Sequence, residues 1–108
     1  MINLIHQFLS TPERNAWLYS ADMQLYIRKS KRVINSQIVT TLDIANITVY
    51  HKGQGIFKKF IKEFHEINPY QASYIESILE PRLVSWCQRN GWTQLLNVQP
   101  PSFYFMTK

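Results

Sequence analysis

Cysteine, glycine and long apolar runs are scarce in this 108-residue sequence, which has one cysteine and three glycines. A lone Cys87 cannot form an internal disulfide, and it cannot build a zinc site, which needs about four protein ligands. The histidines His6, His51 and His65 lie far apart with no cysteine or paired carboxylate at ligand spacing, so we expect no metal. No apolar run approaches the roughly 20 residues of a membrane span, and no signal-peptide pattern is present. We therefore expect a soluble, cytoplasmic protein.

What the chain does contain is enough apolar sequence for one core. Its hydrophobic content is 45%, which predicts a single compact domain over residues 1–108. The formal charge is +5. The basic excess is concentrated in two clusters, Arg28-Lys29-Ser30-Lys31-Arg32 and Lys52, Lys58, Lys59 and Lys62. Such clusters favour anionic partners, although a solvated hairpin tip and a solvated helix face would carry the same residues.

The N-terminal half predicts a helix followed by an antiparallel meander. Apolar residues recur at helical spacing over Ile2 to Leu9, and Thr11-Pro12 has the composition of a second helix start. From Met23 to Tyr50 the sequence is rich in β-branched and aromatic residues. Polar turns are expected at Lys29 to Lys31 and at Asn35-Ser36, and they would divide this region into three strands.

The C-terminal half predicts alternating helices and strands. Helical periodicity begins after Gly55 and ends at Asn68-Pro69, and a strand is expected over Ser73 to Leu79. A helix should open at Pro81 and end at Gly91, followed by two short strands or one bent strand between Gln94 and Met106. A strand, a glycine turn, a helix and a further strand form a βαβ unit, whose strands should be parallel.

The glycine turn Gly53-Gln54-Gly55 lies at the start of the second helix of this pattern. Free N–H groups and the positive end of the helix dipole bind phosphates there, and glycines let the backbone approach them closely. The spacing matches neither a P-loop nor a dinucleotide fingerprint. Taken alone, the turn favours a tight bend for packing over a phosphate cradle.

The residues around the turn resemble motif A of the GNAT acyltransferases. In that motif a strand leads through Arg/Gln-x-x-Gly-x-Gly/Ala into a helix, and the stretch compared here is ITVYHKGQGIFKKFI, residues 47–61. Lys52 takes the Arg/Gln place and Gly55 takes that of the first glycine. Phe57 stands where the family has glycine or alanine.

A second stretch, EPRLVSWCQRNGW at residues 80–92, is similar to motif B of the same family. Arg82 and Leu83 fit its Asn-x-Arg-Ala/Leu start, and Gly91 and Trp92 fit its Gly-Phe end. Glu80 replaces the asparagine. Cys87 occupies the position of the family's tyrosine.

The resemblance implies a GNAT-like fold: a mixed, mainly antiparallel sheet flanked by helices and splayed beside the motif A strand. Acetyl-CoA would lie in the opening as co-substrate. Its pantetheine arm would pair with the strand backbone like an added strand, and its pyrophosphate would rest on the turn. The implied cofactor-binding residues are Ile47, Thr48, Val49, Lys52, Gly53, Gln54, Gly55, Ile56, Phe57 and Lys58.

Acyl transfer to an amine also needs a base for the amine and an acid for the departing thiolate. The candidate catalytic residues are Cys87 at the tyrosine position, Tyr104 or Tyr74 as alternative acids, and Asp43, Glu76 or His51 as bases. Each also has a structural interpretation, because free cysteine usually fills a core and most of the tyrosines must be structural. Among the bases, Asp43 would cap a bulge, Glu76 would pair with a surface lysine and His51 would stack at the strand end.

Three classes of function follow from these patterns. The resemblance implies an acetyl-CoA-dependent N-acyltransferase acting on an amine of a protein or small molecule. The compact chain resembles small acyltransferase-like proteins encoded by bacteriophages, which would act in the host cytoplasm. The second class keeps the fold without catalysis, as a CoA-binding or protein-interaction module. The third is a nucleic-acid-binding domain, in which Tyr26 would stack on bases and the basic residues among 28–32 would bind phosphates. A short N-terminal region would also leave a sheet edge bare and favour a homodimer.

Overall fold

A single six-stranded sheet organises the chain in the computed structural model, which describes residues 1–51, 53–78, 81–96 and 98–107. The elements in chain order are α1 (Ile2–Leu9), β1 (Asn15–Tyr19), β2 (Met23–Ile34), β3 (Gln37–Val49), α2 (Ile56–Ile67), β4 (Ala72–Ile75), α3 (Pro81–Arg89), β5 (Thr93–Gln94) and β6 (Phe103–Met106). The spatial order of the strands is β1-β2-β3-β4-β6-β5.

The sheet is mixed, as predicted. Strand β3 pairs in parallel with β4 through the α2 crossover, and the other pairings among the described strands are antiparallel. The predicted unit of strand, glycine turn, helix and parallel strand is therefore confirmed, as are the two short C-terminal strands. Helices accompany the sheet, which confirms the mixed α/β class.

The long β2–β3 hairpin contradicts one predicted turn. Its tip is Asn35-Ser36, with φ of 52° and 65°, which is the conformation of a tight two-residue hairpin turn. The turn predicted at Lys29 to Lys31 is wrong, because β2 continues unbroken from Met23 to Ile34. Alternation along the strand sends the basic side chains to opposite faces, where several of them have partners described below.

The second helix start predicted at Thr11-Pro12 is also wrong, since the chain there leads into β1. Thr11 instead closes the end of α1. Its backbone N–H donates to the carbonyl of Phe8 at 3.1 Å, and its hydroxyl donates to the same carbonyl at 2.7 Å. Thr11 therefore satisfies a carbonyl at the end of α1 and does not cap a second helix.

The two faces of the sheet differ in how they are covered. The buried side chains of all three helices join one core cluster with the strand residues on the helix face, which include Leu25, Ile27, Leu42, Ile44, Ile75 and Phe103. We call the opposite side the open face. It carries a smaller cluster of its own, made by Ile34, Val39, Ala72, Tyr74 and Tyr104, and no helix residue belongs to it.

Candidate functional site

Strands β3 and β4 separate part of the way along the sheet. The last backbone hydrogen bond between them runs from the N–H of Glu76 to the carbonyl of Ile44, at 3.0 Å. Beyond that point β3 stays with β2, where Val49 pairs with Met23. The second half of β3 therefore has a neighbour on one side only among the described strands.

The chain after β4 turns away from β3 at Ser77. This residue has φ of 52°, and its N–H donates to the hydroxyl of Ser102 at 2.9 Å. The next N–H, that of Ile78, donates to the carbonyl of Pro101 at 2.7 Å. Because these groups are satisfied by the segment before β6, they are not available to β3, and a gap opens between β3 and β4.

A bulge on β3 marks the start of the gap. Tyr26 pairs with Asn46 and Ile27 pairs with Ile44, so Ala45 is the extra residue on β3. A bulge bends its strand and increases the local twist. Here it falls directly after the last bond to β4, so the two strands diverge from that point.

Backbone groups of Ile47 and Val49 point into the gap. Residues of an antiparallel strand alternate between those that bond to the partner and those that point away from it. The N–H of Tyr50 donates to the carbonyl of Asp22 on the β2 side, at 2.9 Å, which assigns Thr48 to that side as well. Ile47 and Val49 consequently present their N–H and C=O groups to the gap. Thr48 does not.

The N-terminus of α2 lies just beyond the end of β3. Its N-cap, Gly55, has φ of 72°, Gly53 has φ of 85°, and no side-chain cap or acidic residue is present in the first turn. A Cβ at either glycine would meet no atom within 4 Å. The positive end of the helix thus opens onto free space, with the exposed Lys58 and Lys59 beside it.

The remaining residues predicted for this region divide by exposure. Ile56 and Phe57 are half-buried against the core, so their side chains leave the turn while their backbone stays at the helix start. Gln54 and His51 are exposed. Lys52 lies outside the described residues.

Asp43 is fully buried on the open face, where it accepts four hydrogen bonds. Its Oδ2 accepts from Ser30 and Arg32, each at 2.7 Å, and from Arg28 Nε at 3.3 Å. Its Oδ1 accepts from the Thr41 hydroxyl at 2.6 Å. A carboxylate enclosed in this way fixes β2 against β3, and this geometry favours the structural interpretation of Asp43 over that of a base.

Glu76 is the more accessible of the two predicted carboxylates. It follows β4 at the beginning of the gap, its side chain is 34% exposed, and its Oε2 accepts from Arg28 Nη2 at 2.6 Å. Arg28 therefore bridges Glu76 and Asp43. Burial acts to lower the pKa of Arg28, but the two carboxylates outweigh it and raise that pKa above its ordinary value.

The three candidate acids lie on two different faces of the sheet. Cys87 is fully buried in the core on the helix face, and burial raises the pKa of its thiol to about 12. Tyr104 is 9% exposed and packs in the open-face cluster, directly across from Tyr74 of β4. The burial of Cys87 favours its interpretation as core packing.

The basic run of residues 28–32 does not form one charged patch. Arg28 and Arg32 pair with carboxylates on the open face. The guanidinium carbon of Arg32 also lies 3.7 Å from the centre of the Tyr74 ring. Lys29 projects to the helix face, where its Nζ donates to the carbonyls of Phe8 and Thr11. Sequence reasoning missed this network. The period-two spacing of Arg28, Ser30 and Arg32 was the signal that could have indicated it.

A groove between α2 and α3 leads away from Lys58. Its volume is about 590 Å³, and its walls include Lys62, Trp86 and Trp92. His65 lines it as well, stacked on Phe105 at 4.5 Å, and burial lowers the pKa of this histidine. The groove combines cations on α2 with aromatic rings.

Comparisons of the chain with protein-family models, curated proteins and solved structures found no match. Within the described part of the chain, no three His, Cys, Asp or Glu side chains are grouped so that they could hold a metal ion. None of the described helices is long and apolar enough to cross a membrane.

Proposed function

We propose that this chain is an acetyl-CoA-dependent N-acyltransferase that modifies an amine on a protein or small molecule. The observation that carries the proposal is the gap between β3 and β4, which ends at an uncapped, glycine-flanked helix start. The described residues of the stretch that resembles motif A of the GNAT family include the end of β3, the glycines of the turn and the first half of α2. Parallel pairing of β3 with β4 supports the same GNAT-like arrangement.

Acetyl-CoA fits the geometry of this region. The amides of the pantetheine arm would pair with Ile47 and Val49, whose backbone groups face the gap. The pyrophosphate would accept hydrogen bonds from the N–H groups at the start of α2, within residues 53–57. Lys58 and Lys59 would supply countercharge, and the adenosine would continue toward the groove between α2 and α3.

Glu76 is the proposed base. It is partly exposed beside the gap, and Arg28 orients it through a 2.6 Å hydrogen bond. It would take a proton from the acceptor ammonium, after which the amine nitrogen attacks the thioester carbonyl. As the C–S bond breaks, the nitrogen loses its second proton to water, and CoA departs as a thiolate that the solvent protonates. A thiol of pKa about 8.5 is a good enough leaving group to do this without a dedicated acid.

Binding of CoA without catalysis is the second candidate. It is favoured by the burial of Cys87 and by the four hydrogen bonds that enclose Asp43. Both candidates require the same cofactor site, so they differ in turnover alone. The nucleic-acid class has less support, because the charges of Arg28 and Arg32 are paired internally.

Calorimetric titration with acetyl-CoA tests the cofactor site, using Gly55→Asp and Gly55→Asn as a matched pair. Aspartate and asparagine both tolerate the left-handed conformation of Gly55, and no atom blocks their Cβ. They have the same shape and differ in charge. We expect Gly55→Asp to weaken binding at least about tenfold relative to Gly55→Asn, since the carboxylate repels the pyrophosphate. Failure of the unmodified protein to bind acetyl-CoA would refute the proposal.

Turnover distinguishes the two candidates. Release of free CoA thiol would be followed with polyamines and lysine peptides as acceptors. In the enzyme, Glu76→Gln should reduce turnover about 100-fold or more while leaving acetyl-CoA affinity within a few-fold of the unmodified protein. Binding without turnover across all acceptors would favour the second candidate.

A further inference from the structure

Strand β1 leaves one edge of the sheet unpaired. Its five residues, Asn15–Tyr19, pair with β2 alone among the described strands, while the opposite edge is the two-residue strand β5. Edge strands are commonly protected by lysine, proline or a bulge. The sequence of β1, NAWLY, has no charged residue and no proline, and its pairing with β2 is regular.

The backbone groups on this edge can be assigned from two hydrogen bonds. The N–H of Lys29 donates to the carbonyl of Arg14, and the N–H of Ser20 donates to the carbonyl of Met23. Even-numbered residues of β1 therefore bond to β2. By alternation, Asn15, Trp17 and Tyr19 direct their N–H and C=O groups outward.

The same odd-numbered positions carry exposed aromatic side chains. Trp17 is 45% exposed and Tyr19 is 59% exposed, both on the open face. The Trp17 ring lies 4.9 Å from that of Tyr26 and 6.4 Å from that of Tyr19. The aromatic surface is thus held in position before any partner arrives, which reduces the entropy lost on association.

We propose that β1 pairs antiparallel with β1 of a second copy, about a two-fold axis at Trp17. This register pairs Trp17 with itself and Asn15 with Tyr19 of the partner subunit. It uses the outward groups of all three residues, giving about six N–H···O bonds, two for each pair. The two Trp17 rings extend the Tyr26–Trp17 contact across the interface.

Charge complementarity argues for a second copy as the occupant. The N-terminal end of β1 is preceded by Glu13 and Arg14, and its C-terminal end is followed by the turn that contains Asp22. Antiparallel self-pairing puts Arg14 opposite Ser20 of the partner subunit, so that Asp22 of the partner subunit is a diagonal neighbour within reach of the arginine. Glu13 lies opposite Ala21 of the partner subunit. In this register no two like-charged residues lie directly opposite each other over residues 13–21.

Sedimentation velocity on charge variants of Trp17 tests both the dimer and its register. Because Trp17 is the self-paired residue, Trp17→Lys and Trp17→Glu should each place like charges opposite each other and remove two aromatic contacts. We expect each variant to weaken dimerisation at least about 30-fold. An equimolar mixture of the two should restore the dimer, since lysine then faces glutamate.

Tyr50→Lys is the matched control, because it replaces an equally exposed aromatic, at 49%, beyond the end of β3. The unmodified protein and this control should sediment at about twice the chain mass of 12.8 kDa. A monomeric unmodified protein at about 100 µM would overturn the proposal. A dimer that persists in both Trp17 variants, or a mixture that stays monomeric, would overturn it equally.

Discussion

Replacing Asp43 with asparagine tests whether one buried carboxylate holds β2 and β3 together. The side chain has no exposed surface and accepts hydrogen bonds from Arg28, Ser30, Arg32 and Thr41. Asparagine keeps the shape but removes the charge, and its amide nitrogen cannot accept from these donors. Two guanidinium groups would then lie close together without their shared counterion.

The expected cost follows from how deeply the charges lie. Removing one partner of a fully buried ion pair costs about 3–5 kcal/mol. Here the arginines are partly solvated, with side chains 32% and 26% exposed, and Arg28 keeps Glu76 as a second partner. We therefore expect Asp43→Asn to lower the free energy of unfolding by about 2–3 kcal/mol.

Urea unfolding followed by tryptophan fluorescence would measure this difference, provided that the m-value is unchanged. Glu76→Gln is the control, because it removes the exposed partner of the same arginine and should cost about 0–1 kcal/mol. If Asp43→Asn unfolded within about 0.5 kcal/mol of the unmodified protein, the carboxylate would not be structural. Asp43 would then return as a candidate base.

Two further predictions concern the titration of Cys87, which is fully buried, and of His65, which is partly buried. Burial raises the pKa of the Cys87 thiol from 9.0 to about 12 in the folded protein. Because the unfolded chain loses this proton at a lower pH, the free energy of unfolding should decrease as the pH rises from 9 to 12. Urea unfolding at pH 8 and 10 should show a decrease about 1 kcal/mol larger than in Cys87→Ala, and an equal decrease in both would contradict the assignment. Burial of His65 lowers its pKa below 6.5, so its protonation should cost stability as the pH falls through and below that value. An NMR titration midpoint at or above 6.5 for His65 would refute this.

The sequence predicts those parts of the fold whose signals are local. The helix after Gly55 has a full apolar stripe, and Asn35-Ser36 is a short polar break between β-rich segments, so both were identified correctly. The errors at Lys29 to Lys31 and at Thr11 share a different cause. Lysine is common in turns and threonine is common at helix caps. The role of Lys29 and of Thr11 in the fold is nevertheless set by the group that each one contacts, which residue type alone does not identify. Lys29 lies against α1, and Thr11 bonds back to Phe8.

Only part of the candidate site can be predicted from the sequence, because the rest depends on contacts that residue type alone does not identify. Gly53 and Gly55 indicate a turn in the sequence, and their left-handed conformations agree with a turn. The gap itself depends on Ala45 and Ser77, which have no special composition. Ala45 is a bulge only because β2 and β3 differ in register across it, and Ser77 turns because Ser102 satisfies its N–H. Such pairings join distant parts of the chain.

The gap between β3 and β4 and the unpaired edge at β1 both present backbone N–H and C=O groups that have no strand partner in the described part of the chain. The residues around these groups differ between the two places. Ile47 and Val49 face the gap between β3 and β4, close to the start of a helix whose positive end has no cap. Strand β1 faces outward, beside the exposed aromatic rings of Trp17 and Tyr19. Backbone N–H and C=O groups on an unpaired strand bind whatever can extend the sheet, and their neighbours select the partner. An extended ligand with amides and phosphates suits the first position, and a second aromatic strand suits the other.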